Sequence, residues 1–335
     1  MLPAIAQFIA LAAVIVVAGT YLTRYADAIA EATGWGRLLI GSVLLAGATS
    51  LPELTVDVTA IRLNLPDLAV GDLLGSSLMN LLILATLDLT NHSRGKMLSR
   101  TAAAHALSGL LSIALTATVG LGLLTAGQSP SWAMLGVHAS IWVVALGYVL
   151  GVRLTFLDQR VALRAAVEAE VAVEKIHQGR PLGRSVLGFA AAAAAILVTG
   201  PFLAESAGRI AELSGLGETF VGTTFVALST SLPELVTSLA AVRIGAFDLA
   251  VGNVFGSNAF NMLLFFPLDL LYPGTLFASV GSLHAISCLA AIMATSVVIM
   301  GQLYQSETRV RFIEPDAWLV ILLIIAALAI VYAAG

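Results

Sequence analysis

The hexapeptide Thr49-Ser50-Leu51-Pro52-Glu53-Leu54 recurs unchanged as Thr230-Ser231-Leu232-Pro233-Glu234-Leu235. The separation of 181 residues is a single register that runs ungapped from Glu31/Glu212 to Asp88/Asp269, with 24 of 58 positions identical. Asp67-Leu68-Ala69-Val70-Gly71 matches Asp248-Leu249-Ala250-Val251-Gly252, and Gly75-Ser76 with Asn80 matches Gly256-Ser257 with Asn261. Weaker matching reaches Gly19/Gly200, so the duplicated unit is half of the chain.

The composition says what kind of half. Of 335 residues, 59% are hydrophobic and 11% charged, against roughly a quarter charged and under half apolar in soluble domains. With a mean hydropathy of +0.97, the surface has to be covered mostly by lipid. Runs long enough to cross about 30 Å of hydrocarbon lie near 4–22, 38–61, 68–89, 101–124, 132–151, 185–204, 219–242, 249–271, 279–301 and 317–334. Lipid cannot satisfy backbone amides and the alternation of a membrane barrel is absent, so the ten runs are read as helices. The first run lacks a basic n-region and a small-residue cleavage site, which reads as a retained helix. Cys288 is the only cysteine, so no internal disulfide is available and cysteine says nothing of compartment.

Lys and Arg give the orientation. Ten spans put both termini on one side; with the termini outside, the inner loops hold Arg24, Arg37, Arg94, Lys96, Arg100, Arg153, Arg160, Arg164, Lys175, Arg180, Arg184, Arg243, Arg309 and Arg311, leaving only Arg62 and Arg209 outside. That asymmetry places the termini extracytoplasmically and the 153–184 loop in the cytoplasm. Within this loop, 160–176 is either an amphipathic helix at the interface or a solvated linker. The expected division is a first repeat at 1–152, a linker at 153–184 and a second repeat at 185–335. Five spans per half is an odd number, so the two halves enter the membrane in opposite senses. The expected fold is therefore all-α and polytopic, with ten transmembrane helices in two inverted five-helix repeats. Such repeats place their common site near the bilayer midplane.

The best-matched residues are polar and fall in mid-span. Each ionised carboxylate at the positions of Glu53 and Glu234 costs roughly 2.5 kcal/mol or more in the bilayer. No Lys or Arg falls mid-span to offset it. Either the carboxyls are protonated or a cation from solution neutralises them. Pro52 and Pro233 remove the helical donors of the Ala48 and Ser229 carbonyls. Thr49, Ser50, Thr230 and Ser231 add hydroxyls beside the acids, where the bland alternative is bonding back to their own helix. Ser76 and Asn80, with Ser257 and Asn261, share helix faces at a spacing of four. Gly71, Gly75, Gly252 and Gly256 fit ordinary close packing. Two carboxylates, two amides and several hydroxyls, without sulfur or imidazole, suit Ca²⁺ better than zinc, copper or Mg²⁺. A site of charge −2 is neutralised by one Ca²⁺ or by two monovalent ions or protons, and a third Na⁺ makes the cycle electrogenic.

These motifs resemble the paired alpha-repeats of the cation/Ca²⁺ exchanger superfamily, specifically its Na⁺/Ca²⁺ exchanger branch of prokaryotic type. The family's G-T-S-x-P-E core reads Gly47-Ala48-Thr49-Ser50-Leu51-Pro52-Glu53 and Leu228-Ser229-Thr230-Ser231-Leu232-Pro233-Glu234. Its G-N-x-x-G-S-N-x-x-N/D core reads Gly71 to Asn80 and Gly252 to Asn261. The resemblance implies an antiporter exchanging Ca²⁺ for Na⁺ by alternating access, not an enzyme. The implied ligands are Glu53, Glu234, Thr49, Ser50, Thr230, Ser231, Ser76, Ser257, Asn80 and Asn261, with the carbonyls of Ala46 and Ala227. It also implies that spans one and six, Gly/Ala-rich at Gly19, Gly200 and Ala190 to Ala195, slide as a gating pair. The 153–184 loop is too short for the regulatory domain of animal exchangers. No cofactor is expected, only transported Ca²⁺ and Na⁺ or H⁺. The expected partner is the lipid bilayer, with no nucleic acid and no obligate protein partner, in a prokaryotic inner membrane.

Three positions depart from the pattern. Asn261 is neutral where some microbial relatives carry Asp. Asp57 stands where the second repeat has Ser238, and Asp72 where it has Asn253. Asp72 reads as a helix N-cap and Asp57 as a partner of Arg62, or both as an outer acidic vestibule that recruits cations or couples protons. A Ca²⁺/H⁺ antiporter is the alternative within the class, and a non-transporting membrane scaffold the alternative outside it. An intramembrane hydrolase is disfavoured, because none of the five His has a mid-span Ser in register.

Overall fold

A computed structural model describes residues 2–90, 102–126, 133–168, 181–214, 228–303 and 315–334. Seven of its helices are long and apolar enough to cross a membrane, or eight when one bent pair is counted as a span. In chain order the helices are α1 (Leu2–Thr33), α2 (Arg37–Ile40), α3 (Ala46–Thr49), α4 (Leu51–Arg62), α5 (Pro66–Thr90), α6 (Ala102–Thr125), α7 (Ala139–Glu168), α8 (Leu182–Ser214), α9 (Leu232–Arg243), α10 (Phe247–Leu271), α11 (His284–Leu303) and α12 (Pro315–Ala334). The expected spans near 68–89, 101–124, 185–204, 249–271 and 279–301 each coincide with one long helix. The expected 219–242 span is described only from residue 228, and its Ala227 lies outside the described residues. So do 169–180, the centre of the expected linker, whose first residues continue α7 to Glu168.

The span expected at 38–61 is not continuous. A π turn at Gly41–Leu45 separates α2 from α3, and the chain bends by 41° at Ser50, whose φ of −88° and ψ of 4° leave the helix. Pro52 therefore sits in the first turn of α4 rather than inside one long helix, where its missing amide breaks no bond. The second half repeats this at Ser231 (φ −80°, ψ 4°) and Pro233. The ends of α4 and α9 also agree. Asn64 (φ 61°) and Gly245 (φ 75°) turn left-handed, and Leu65 N–H to Ala60 O and Ala246 N–H to Ala241 O, both 2.9 Å, close the same Schellman turn.

Two helices form the centre. Two thirds of the apolar windows of α5 and α10 are buried, against about a fifth for α1, α7 and α8, which face outward. Both carry apolar residues all round, as a helix enclosed by others must. Glycine brings α10 against the first-half broken span. A Cβ on Gly41 would lie 2.6 Å from Leu249 O, one on Gly252 would lie 2.5 Å from Leu38 O, and one on Gly256 would strike Ser42. Outside this centre α1 packs along α8. Gly19 of α1 rests on Val236 and Thr237 of α9, and Gly200 of α8 on Pro52 of α4.

The span expected to start at 132 opens instead with a hairpin, Ala133–Met134 paired with Val137–His138, and α7 starts at Ala139. Leu135 (φ 56°) and Gly136 (φ 82°) make a two-residue turn with both residues left-handed, which suits the twist of two paired strands. The Asp269 carboxylate at the end of α10 accepts the amides of His138 and Leu276, each at 2.6 Å, and so pins this hairpin and the following 3₁₀ turn to the centre.

Candidate cation site

The two helix breaks bring the repeated motifs face to face. Glu53 and Glu234 stand in the first turns of α4 and α9, where helix N-termini favour negative charge. Both are fully buried, and Glu53 lies in the field of Glu234. Hydroxyls link the two acids across the halves. Ser76 Oγ of α5 donates to Glu53 Oε1 at 3.2 Å and lies 2.9 Å from Ser231 Oγ. Ser50 Oγ donates to Glu234 Oε1 at 3.4 Å. Thr49 Oγ1 lies 3.5 Å from both Ser257 Oγ and Asn253 Oδ1 of α10. In the mirrored position Thr230 Oγ1 lies 3.5 Å from Asp72 Oδ1 of α5.

Several donor atoms are left over. Glu53 Oε2, Glu234 Oε2, Asn80 Oδ1 and both side-chain polar atoms of Asn261 are buried with no hydrogen-bond partner. Buried polar groups are paired in the great majority of cases, so a concentration of orphans around two acids marks a place built for something else. Among the described residues no Lys or Arg pairs with either glutamate; the ion pairs are Arg37 with Asp27 and Glu31, His105 with Asp248, Arg209 with Glu205, and His284 with Asp67. Nor do three His, Cys, Asp or Glu side chains converge among the described residues as they would in a resident metal centre. Two carboxylates, hydroxyls and amide oxygens make a hard-oxygen set, suited to an ion that enters and leaves.

Ten of the expected ligands, Glu53, Glu234, Thr49, Ser50, Thr230, Ser231, Ser76, Ser257, Asn80 and Asn261, are thus all buried, and these hydrogen bonds bring all but Asn80 and Asn261 together where α3/α4 meet α5, α9 and α10. The Ala46 carbonyl is engaged within its own helix, accepting Ser50 N–H at 3.0 Å and Thr49 Oγ1 at 3.2 Å. It can serve an ion only when the Thr49 hydroxyl turns away. Asp72 lies in the second turn of α5 rather than at an N-cap, and Asp57 is fully buried and makes no ion pair with Arg62.

Other polar groups complete the wall. Asn80 Nδ2 donates to Asn258 Oδ1 at 3.0 Å, and Asn258 Nδ2 donates to Ser77 O at 3.1 Å. Asn253 Nδ2 donates to Thr237 Oγ1 and Ser238 Oγ, both at 3.1 Å, while Thr23 Oγ1 of α1 reaches Thr237 O at 3.2 Å. Asn258 differs between the repeats, so duplication gives no signal for it, and only the motif core in the second repeat marks it; its burial and its bonds to Asn80 and Ser77 place it in the wall.

The model of the sodium/calcium exchanger protein family matches residues 3–151 and 184–334. The inner membrane protein YrbG of Escherichia coli (strain K12) is 30% identical over 243 residues, 71% of this chain and 70% of that protein. The sodium/calcium exchanger MaX1 of Methanosarcina acetivorans is 38% identical over 108 residues, 32% of this chain and 30% of that one. Among solved structures, the sodium-calcium exchanger NCX_Mj soaked with Na⁺ and Ca²⁺ superposes with a TM-score of 0.68 at 19% identity, covering 99% of this chain and 98% of that chain.

Proposed function

This chain belongs to the sodium/calcium exchanger family, and on that premise we propose that it is a secondary antiporter exchanging Ca²⁺ for Na⁺ across a membrane by alternating access. The observation that carries the reading is the pair of fully buried carboxylates, Glu53 and Glu234, each with one oxygen unpartnered and no basic side chain beside it among the described residues. An ion from solution supplies the missing positive charge. Glu53, Glu234, Ser76, Ser257, Asn80, Asn261 and the hydroxyls of Thr49, Ser50, Thr230 and Ser231 hold it, with the carbonyls of Ala46 and Ala227 as the motif resemblance implies. One Ca²⁺ or two Na⁺ balance the two carboxylates. Because both ions require the same oxygens, occupancy by one excludes the other, and this competition couples their fluxes without any covalent step. The empty site of charge −2 resists enclosure in hydrocarbon, so the protein crosses between its states loaded.

The same reading extends to the architecture. We infer ten spans in two inverted five-helix halves, 1–152 and 185–335, joined by a cytoplasmic segment at 153–184, with both termini extracytoplasmic in a prokaryotic inner membrane. The mirrored Ser50/Ser231 breaks, the mirrored Schellman turns and the crossed rests of Gly19 on α9 and Gly200 on α4 support it. In this reading α1 and α8 are the moving pair. Each bears on the helix that carries the other half's glutamate, so a shift of the pair alters access to both acids.

Uptake of ⁴⁵Ca²⁺ into proteoliposomes loaded with Na⁺, set beside uptake driven by a proton gradient alone, tests the assignment. Rapid uptake is expected with the Na⁺ gradient and is expected to vanish in Glu53→Gln. Uptake that follows only the proton gradient turns the protein into a Ca²⁺/H⁺ antiporter, and uptake under neither gradient contradicts transport.

A further inference from the structure

The two halves differ in charge at one layer. Asp57 stands one helical turn beyond Glu53, and Asp72 one turn before Ser76. Their equivalents 181 residues on are Ser238 and Asn253. In the second half that layer closes on itself, since Asn253 Nδ2 donates to both Ser238 Oγ and Thr237 Oγ1. In the first half the two positions carry carboxyls within reach of each other. Asp57 is fully buried and Asp72 is 7% exposed. Two ionised carboxylates only accept, so unless they share a proton the pair cannot close as Ser238 and Asn253 do. Beyond each other, both oxygens of Asp57 and Oδ2 of Asp72 are buried without a hydrogen-bond partner, and the Thr230 hydroxyl lies 3.5 Å from Oδ1 of Asp72.

We propose that Asp57 and Asp72, with Thr230 Oγ1, form a second binding site for a hard divalent cation, one helical turn from the Glu53–Glu234 site. Three carboxylate oxygens with no donor beyond each other in a closed interior are the ligand set an ion completes, because ionised carboxylates removed from water need a compensating charge. A divalent ion balances both acids, whereas a monovalent ion leaves one negative charge buried. The donors are all oxygen, which selects Ca²⁺ over softer metals. Thr230 belongs to both layers, so an ion held by Asp72 is already beside a hydroxyl of the central site. Four residues of helical rise, about 6 Å, separate the layers, and the site serves as a staging position for an ion passing to or from Glu53. The choice of Ca²⁺ rests on the proposed exchange, while the site itself does not.

The test is the number of ⁴⁵Ca²⁺ ions bound at saturation by the purified full-length protein in Na⁺-free detergent solution. The informative variant is D57S/D72N, which installs the pair that the second half already closes, with Asp72→Asn alone as a substitute should the double variant not elute as a single species. Two ions per wild-type chain and one per D57S/D72N chain are expected, the last being lost when E53Q/E234Q is added. One ion in the wild type, kept in D57S/D72N, overturns the second site and leaves the central one standing. One ion lost in D57S/D72N yet kept in E53Q/E234Q overturns the central assignment instead. Two ions retained in D57S/D72N place the second ion elsewhere and also overturn the proposal, and no bound ion in any form overturns both sites.

Discussion

Glu53 and Glu234 are equivalent in sequence and unequal in their surroundings. Glu53 takes its hydroxyl from Ser76, which also meets Ser231, whereas Glu234 takes its hydroxyl from Ser50. Removing the Ser76 hydroxyl therefore strips a donor from one acid and a neighbour from the opposite half. Ser76→Ala is expected to weaken Ca²⁺ binding by about tenfold or more, the effect of losing a hydrogen bond to a charged group, and more than Ser50→Ala does; equilibrium ⁴⁵Ca²⁺ binding to the two variants checks the order. Asn261, whose side-chain polar atoms are all unpartnered, invites the opposite change. Ligand charge count sets Ca²⁺ affinity, so Asn261→Asp is expected to raise it roughly tenfold and to slow turnover, measured as Ca²⁺ affinity beside exchange rate. The glutamates, hydroxyls and paired asparagines were legible in the sequence because each is polar, mid-span and present twice. Asn253 and Asn258 stand on the Asn positions of the motif in the second repeat only, so duplication carries no information there, and their bonds to Ser238 and Ser77 were not legible.

At the scale of elements, the positions of the seven long apolar helices and of the bent pair were readable from length and hydropathy, and the interruption of that pair was not. Nothing in Gly41 to Leu45 announces a π turn. It lies where α10 approaches within backbone contact, with Gly41, Gly252 and Gly256 leaving no room for a side chain. Overpacking of this kind typically costs ~1–3 kcal/mol, so Gly256→Ala is expected to lower the thermal midpoint of the purified protein by several degrees, while Gly183→Ala, at the exposed start of α8 with nothing within 4 Å of the added carbon, leaves it unchanged within error. Gly200 has a different consequence. An added methyl there strikes Pro52, on the surface over which α8 moves in the proposed cycle. Gly200→Ala is expected to slow exchange several-fold while Ca²⁺ binding persists; equal losses in both would count against α8 as a moving element. The hairpin before α7 escaped the sequence reading because its residues, Ala133 to His138, are as apolar as a span. The carboxylate that fixes it, Asp269, is 131 residues away from His138.

At the scale of the whole molecule, the proposed inverted arrangement requires the turn after α4 and the turn after α9 to lie on opposite faces of the membrane. The native Cys288 is buried, so a membrane-impermeant maleimide is expected to leave the wild-type protein unlabelled and to mark Arg62→Cys and Arg243→Cys from opposite sides in oriented vesicles. Labelling of both from one side contradicts inversion. What unites the scales is two carboxylates enclosed by both halves without a basic partner among the described residues, and the proposal that the ion being carried neutralises them. Crystals soaked with Sr²⁺, an anomalously scattering stand-in for Ca²⁺, examine that claim directly. The account predicts an anomalous peak within coordination distance of Glu53 and Glu234 that disappears when Na⁺ replaces Sr²⁺; its absence from that position in a Sr²⁺-saturated crystal would contradict it.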